Sequence, residues 1–156
     1  MPFTVSIVTN CTQRKSGQVQ ADLAQLPQLP SAECLAESWQ LLVGRALPLS
    51  SVQSLYQGRT IFDTKATAAH LGASWYVISA GLGLVRSDQE VPAYECTVAS
   101  GSELSRRLEH AGATAVDWWK ALTASQPYPL SRLIARRPTL LALPSTYLRM
   151  VHDDLA

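Results

Sequence analysis

The sequence has little of what usually announces a function. Three cysteines, Cys11, Cys34 and Cys96, stand far apart in 156 residues, an odd number with no Cys-x-x-Cys pair. A zinc site or a disulfide framework is therefore not expected, and free thiols suit a reducing compartment. There are three histidines, His70, His110 and His152. None is spaced from an acid as a triad requires, and surface or capping roles suit all three. Net charge is also nearly absent, at +1. No global field then draws the chain to nucleic acid or an anionic membrane, and any anion site has to be local. Residues 1–100 carry 6 Lys/Arg against 7 Asp/Glu and the remainder 7 against 5, so neither part is a charged tail. No apolar run approaches the length of a membrane span. The amino terminus lacks a basic segment followed by a long apolar core, so we expect no secretory leader and a cytoplasmic protein. Internal repeats and low-complexity segments are missing too.

What is present is core material. The chain is 47% hydrophobic and 16% charged, which suits one domain over residues 1–156. Residues 3–9 read as a strand. Residues 18–30, with Pro27 and Pro30, read as a loop with room for one helical turn. Ser31 can cap a helix that places Leu35, Trp39, Leu42, Val43 and Ala46 on one face and ends at Pro48. A turn-rich connection over 50–60 precedes a helix from about Asp63 to Leu71, closed by Gly72. "SWYVISA", residues 74–80, is β-branched, aromatic and nearly all apolar, as a central strand buried on both faces would be. Residues 81–101 show no helical period and read as one long loop, which in a compact domain is usually functional. A single helix is expected over 102–122. It carries Leu104, Leu108, Ala111, Ala115 and Trp118 on one stripe, so Trp119 would face outward, toward solvent or a partner. A short amphipathic piece over 129–137, a strand over 139–143 and a helix capped by Ser145 complete the chain. Strands separated by helices predict an α/β fold, a three-layer domain with a small, mainly parallel sheet flanked by helices.

Such sheets bind ligands at the carboxyl ends of their strands, and each expected strand is followed there by small or polar residues. These are Asn10-Cys11-Thr12, Gly81-Leu82-Gly83 and Pro144-Ser145-Thr146. At the first, Arg14 and Lys15 stand close to Cys11 in sequence. Nearby cations raise a thiol's thiolate fraction. Arg14 offers a fork for phosphate, and Lys15 a point charge or, desolvated, a nucleophilic amine. The plainer alternatives stay open: cysteine is often only a small buried hydrophobe, and Arg-Lys in a loop is often solvated. At the second, Gly81 and Gly83 would let backbone approach a ligand, or simply make a tight turn. The pair lacks the third glycine of a dinucleotide fingerprint. Tyr94 could stack on a planar ligand or anchor the long loop. Glu90, Asp88 and Glu95 are acids on that loop, with Glu90 the candidate proton donor.

These segments resemble a known family. "LYQGRTIFDT" and "WYVISAGLGLVRSDQEVPAYECTV" are similar to the core of the peroxide-stress YaaA-like proteins. The positions that carry the likeness are Gly58, Phe62, Ser79, Ala80, Gly83, Leu84, Pro92, Tyr94 and Thr97, with Ala93 inserted between the proline and tyrosine. Cys11, Thr12 and Lys15 resemble the Cys-x-x-x-Lys loop of uncharacterised bacterial and phage proteins sharing that core and, more distantly, archaeosine-synthase-type enzymes. The likeness spans residues 5–100, leaving 101–156 as a helical segment with a final strand and helix. It implies an α/β fold associated with nucleobases or nucleic acid. Together with the polar rim it leads us to expect an enzyme acting on a nucleobase, nucleoside or nucleotide, by glycosyl transfer or N-glycosidic cleavage, because a planar leaving base needs only a nucleophile and a proton donor. Cys11, Lys15 and Glu90 would be catalytic, and Thr12, Arg14, Ser79, Gly81, Gly83 and Tyr94 would bind substrate. The alternative it implies is a non-catalytic nucleic-acid-binding stress protein or a subunit of a larger complex. No cofactor follows from the sequence, and no transition-metal ligand cluster is visible. A magnesium-bridged phosphate site would leave little trace.

Overall fold

The structure, a computed structural model, describes residues 4–12, 15–48 and 50–156. In chain order, β1 (Ser6–Asn10) leads to the two-residue strand β2 (Ala21–Asp22), then α1 (Ala32–Gly44), β3 (Ser50–Ser51), α2 (Val52–Leu55) and α3 (Arg59–Leu71). Four strands follow: β4 (Ser74–Ser79), β5 (Gly83–Arg86), β6 (Glu90–Val91) and β7 (Tyr94–Glu95). The rest of the chain is α4 (Glu103–His110), α5 (Ala115–Thr123), α6 (Leu130–Arg136), β8 (Thr139–Ala142), α7 (Ser145–Met150) and α8 (His152–Leu155). This is an α/β domain with helices around a small, mostly parallel sheet.

The main sheet has the order β5-β4-β1-β8. β1 runs parallel to both neighbours, with Ser6 opposite Ser74 and Thr139. β5 turns back antiparallel to β4, pairing Ser79 with Gly83 and Tyr76 with Arg86. Parallel pairing of β1 with β4 and β8 sets the carboxyl ends of all three strands on one rim, and this arrangement positions the site. β4 is central, and Val77, Ile78 and Ser79 are fully buried, as its continuous β-branched pattern requires. α3 packs on β1 and β4. It ends at Gly72, whose φ of 62° is the left-handed cap that only glycine adopts freely.

Several sequence expectations are corrected. The helix expected over 102–122 is two helices. Gly112, at φ 68°, breaks the chain between them, and Thr114 caps the second through a reciprocal pair: its Oγ1 accepts from the Asp117 amide at 3.3 Å while Asp117 Oδ2 accepts from the Thr114 amide at 2.8 Å. The alanines on either side had kept the apolar stripe running through a real boundary. Trp119 is also not an outer residue. It is 2% exposed and its indole donates to Asp154 of α8 at 2.7 Å, because the C-terminal helices cover the face of α5 that a lone helix would show to water. The segment 18–30 holds the expected helical turn, over Leu23–Gln25, beside the short strand β2, while the connection over 50–60 and the loop over 81–101 contain short elements instead. β2 pairs in parallel with β7 and β3 antiparallel with β6, so the long loop is tied down twice. Last, Ser145 is not a cap. α7 starts after Pro144 without a side-chain cap bond.

Candidate functional site

β1 continues its ladder one residue past its end, where the Cys11 amide donates to the Ile78 carbonyl at 2.9 Å. That bond fixes the direction of the thiol. Its Sγ lies 3.0 Å from the Tyr147 hydroxyl and accepts from the Ala80 amide at 3.4 Å. Cys11 follows β1, Ala80 follows β4, and Tyr147 lies in the helix after β8. One sulfur therefore touches the continuations of all three parallel strands.

Beside it lies a buried hydroxyl network. Ser79 Oγ accepts from the amides of Gly81 at 3.3 Å and Leu82 at 2.9 Å. It also meets the Tyr56 hydroxyl at 3.1 Å and the Tyr94 hydroxyl at 2.5 Å. Tyr56 and Tyr94 bond to each other and pack edge-to-face, 6.3 Å between centroids. Burial pushes both hydroxyls well above the usual tyrosine pKa, and a charge on nearby Cys11 would push the same way. Tyr147 is raised for the same two reasons, burial first. All three phenols are thus held protonated at neutral pH. Lys15 closes the cluster. Its backbone bridges to Tyr56, and its ammonium sits 4.7 Å from the centroid of the Tyr94 ring and 5.9 Å from that of Tyr56, within reach of the ring quadrupoles.

The turn after β4 is clamped from outside. Trp118 donates its indole N–H to the Ala80 carbonyl at 2.8 Å and Trp39 donates to the Gly81 carbonyl at 2.7 Å. Gln126 accepts from the Leu84 amide at 3.2 Å and donates to the Leu82 carbonyl at 3.1 Å. Gly83 sits between those groups at φ 79°, with the Gln126 carboxamide where a Cβ would go. Both of these indoles have found a backbone acceptor, and the turn's position follows from them.

Of the residues singled out in the sequence, the fold brings Cys11, Lys15, Ser79, Gly81 and Tyr94 together. Gly83 lies two residues further on, opposite Ser79 in the ladder. Thr12 follows Cys11 and is half-buried. Arg14 lies outside the described residues. Glu90 is exposed on β6, paired with Ser51 of β3, and no contact ties it to the cluster. Tyr94 is fully buried, with its hydroxyl bonded to Ser79 and Tyr56 and its ring under the Lys15 ammonium, so it is not open for stacking on a planar ligand. Sequence reasoning missed Tyr56, Tyr147, Trp39 as a clamp, and Gln126. Tyr147 carried a usable signal: it lies five residues beyond Ala142, where β8 ends, on the shared rim. Among the described residues, no group of three or more His, Cys, Asp or Glu could hold a metal ion. No helix among them is long and apolar enough to cross a membrane.

Access differs between the two candidate nucleophiles. Cys11 is 5% exposed, whereas Lys15 is half-buried. Cys34 is exposed on α1 and Cys96 is buried, with burial raising the Cys96 pKa far above that of a free thiol. Titration of the native protein with an aromatic disulfide should therefore show one fast thiol, and three in denaturant. Cys34→Ser should abolish the fast phase. A second fast thiol that disappears in Cys11→Ser would show that the rim opens to solvent.

Comparison of the chain with family models, with curated proteins and with solved structures returned no significant match in any of the three.

Proposed function

We propose that the protein is an enzyme acting on a nucleobase, nucleoside or nucleotide, by glycosyl transfer or cleavage of an N-glycosidic bond. One observation carries the reading: a thiol, an ammonium and three protonated phenols share the rim where three parallel strands end. That is where α/β sheets take their ligands, and these are the group types the chemistry needs. A nucleophile forms a bond to the anomeric carbon as the bond to the base nitrogen breaks, and the departing base takes up a proton. Lys15 is the more reachable nucleophile, with Cys11 and its Tyr147 partner behind it. The phenols are nearer proton sources than Glu90, which stands apart on β6. The likeness to YaaA-like and archaeosine-synthase-type proteins supports the substrate class.

The second reading is a non-catalytic nucleic-acid-binding protein or a subunit of a larger complex, and the burial of Cys11 and Tyr94 favours it. Incubation with a panel of nucleosides, nucleotides and oligonucleotides, with released base followed by chromatography, separates the two. Lys15→Ala should lower turnover at least about tenfold, a loss of roughly 1.4 kcal/mol of transition-state stabilisation. Cys11→Ser should lower it too while the circular dichroism spectrum is retained. Turnover unchanged in both variants would remove these residues from the mechanism. Binding without any turnover in the wild type would leave the second reading.

A further inference from the structure

A different polar surface lies away from the Cys11 rim. Because β5 runs back along β4, Gly83 is at the rim while Arg86 sits further down, opposite Tyr76. Beyond this edge strand, α6 closes a groove of about 350 Å³ whose lining includes Tyr76, Arg86, Tyr128, Arg132, Arg136 and Arg137. Four of the chain's 13 Lys/Arg are gathered there, in a protein whose net charge is only +1. No acid lines the groove. Arg86 is paired with Asp88, but among the described residues no carboxylate forms an ion pair with Arg132, Arg136 or Arg137. Clustered guanidiniums repel each other, and an anion would relieve that repulsion. Guanidinium forks match phosphate oxygens two at a time.

The aromatic side of the groove is ordered in the same sense. Tyr128 is 62% exposed. The Arg132 guanidinium lies 4.8 Å from its ring centroid and donates to the Pro127 carbonyl at 3.2 Å. One face of the ring is thus held by a cation, and the exposed remainder can take a flat partner. Arg132 and Arg136 are four residues apart on α6, one above the other and about 6 Å apart along the axis, with Arg137 next. Such a row addresses successive phosphates rather than one.

We propose that this groove binds single-stranded nucleic acid, with a base stacked on Tyr128 and adjoining phosphates on Arg132, Arg136 and Arg137. A duplex keeps its bases stacked on one another and has no free base to offer the ring. The site goes beyond the rim reading and stands without it.

The test is fluorescence anisotropy of a short, labelled, mixed-sequence single-stranded oligonucleotide against the full chain over a salt series. Three phosphate contacts give a log–log slope of about −2, and the triple change of Arg132, Arg136 and Arg137 to Gln should flatten it and weaken binding at least about tenfold. Tyr128→Ala should weaken binding by about tenfold with the slope kept. All four side chains are exposed, so the variants should fold. Arg45→Gln, at an exposed cation just after α1 that does not line the groove, should leave the affinity unchanged, so that a loss in the triple variant belongs to this site. Four results would overturn the proposal: no binding, a salt-independent affinity, an equal loss in Arg45→Gln, or displacement of the strand by equimolar nucleoside triphosphate. The last would make the groove a site for free nucleotides.

Discussion

Above about pH 10 the fold should lose stability by up to about 4 kcal/mol for each further pH unit. The cause is the trio of phenols at the rim. Burial lifts Tyr56, Tyr94 and Tyr147 above the value near 10 that they take in the unfolded chain. Below that value both states hold the three protons, and the phenols give stability no dependence on pH. Above it the unfolded chain releases them while the folded chain keeps them, so rising pH favours unfolding. Three protons at about 1.4 kcal/mol per unit each give the stated ceiling. Cys96, raised in the same direction by its burial, adds a smaller loss that starts lower, near the ordinary thiol value of about 8.5. Against a total stability of about 5–15 kcal/mol, a few pH units are enough to unfold the chain. Urea midpoints across an alkaline series measure the effect. Tyr147→Phe should make the decline shallower by about a third, since one of the three protons no longer counts. A midpoint that stays constant to about pH 11 would mean that the phenols are open to water, contrary to their burial.

The same trio shows where sequence reading stops. Parallel strands and the shared rim followed from Val-Ile-rich segments separated by helical periods, and from the small polar residues after each strand. Both kinds of signal are local, and the pairing of β1 with β4 and β8 follows from topology. The Tyr56–Ser79–Tyr94 contacts are of another kind. They join residues 15 to 38 apart in sequence, through β2·β7 and β3·β6 ladders only two residues long. A two-residue strand has no period to detect, so 81–101 looked like open loop. On sequence alone Glu90 and Tyr94 therefore share one long loop, each a candidate to meet a ligand. The ladders send them to different places, Glu90 to solvent and Tyr94 into the core. The break at Gly112 was hidden for the opposite reason. Ala111, Ala113 and Ala115 keep helical propensity high across it, and the glycine's left-handed conformation together with the Thr114–Asp117 pair outweighed that propensity. The Trp118-Trp119 pair misled because the rule that one of two adjacent residues faces outward holds only for a helix packed on one side.

Gly81→Ala should destabilise the protein by about 3 kcal/mol, the upper end of the usual cost of overpacking. The backbone dihedrals are not the reason, since Gly81 is absent from the positive-φ glycines. A Cβ there would lie 2.7 Å from two ring carbons of Tyr94 and 3.1 Å from the Trp39 indole. Both rings are anchored at their polar ends, Tyr94 to Ser79 and Tyr56, and Trp39 to the Gly81 carbonyl itself. Neither can swing aside without breaking a buried hydrogen bond, which itself costs about 1–3 kcal/mol. Gly44→Ala provides the contrast. It sits in α1 with nothing near its absent Cβ, so the same methyl should be neutral or stabilising by up to about 1 kcal/mol. A double-mutant cycle identifies the cause of the Gly81 effect. In a Tyr94→Ala background the offending ring carbons are gone, and Gly81→Ala should then cost under about 1 kcal/mol, a coupling of about 2 kcal/mol. Truncating Tyr94 is itself expensive at about 3–5 kcal/mol, so the cycle should be run with a stabilising osmolyte present in all four proteins. Equal costs in both backgrounds would mean that the turn yields instead of the ring. In that case the Gly81 amide would move off Ser79 Oγ, and the rim would be a flexible lip rather than the rigid seat that the indole clamps imply.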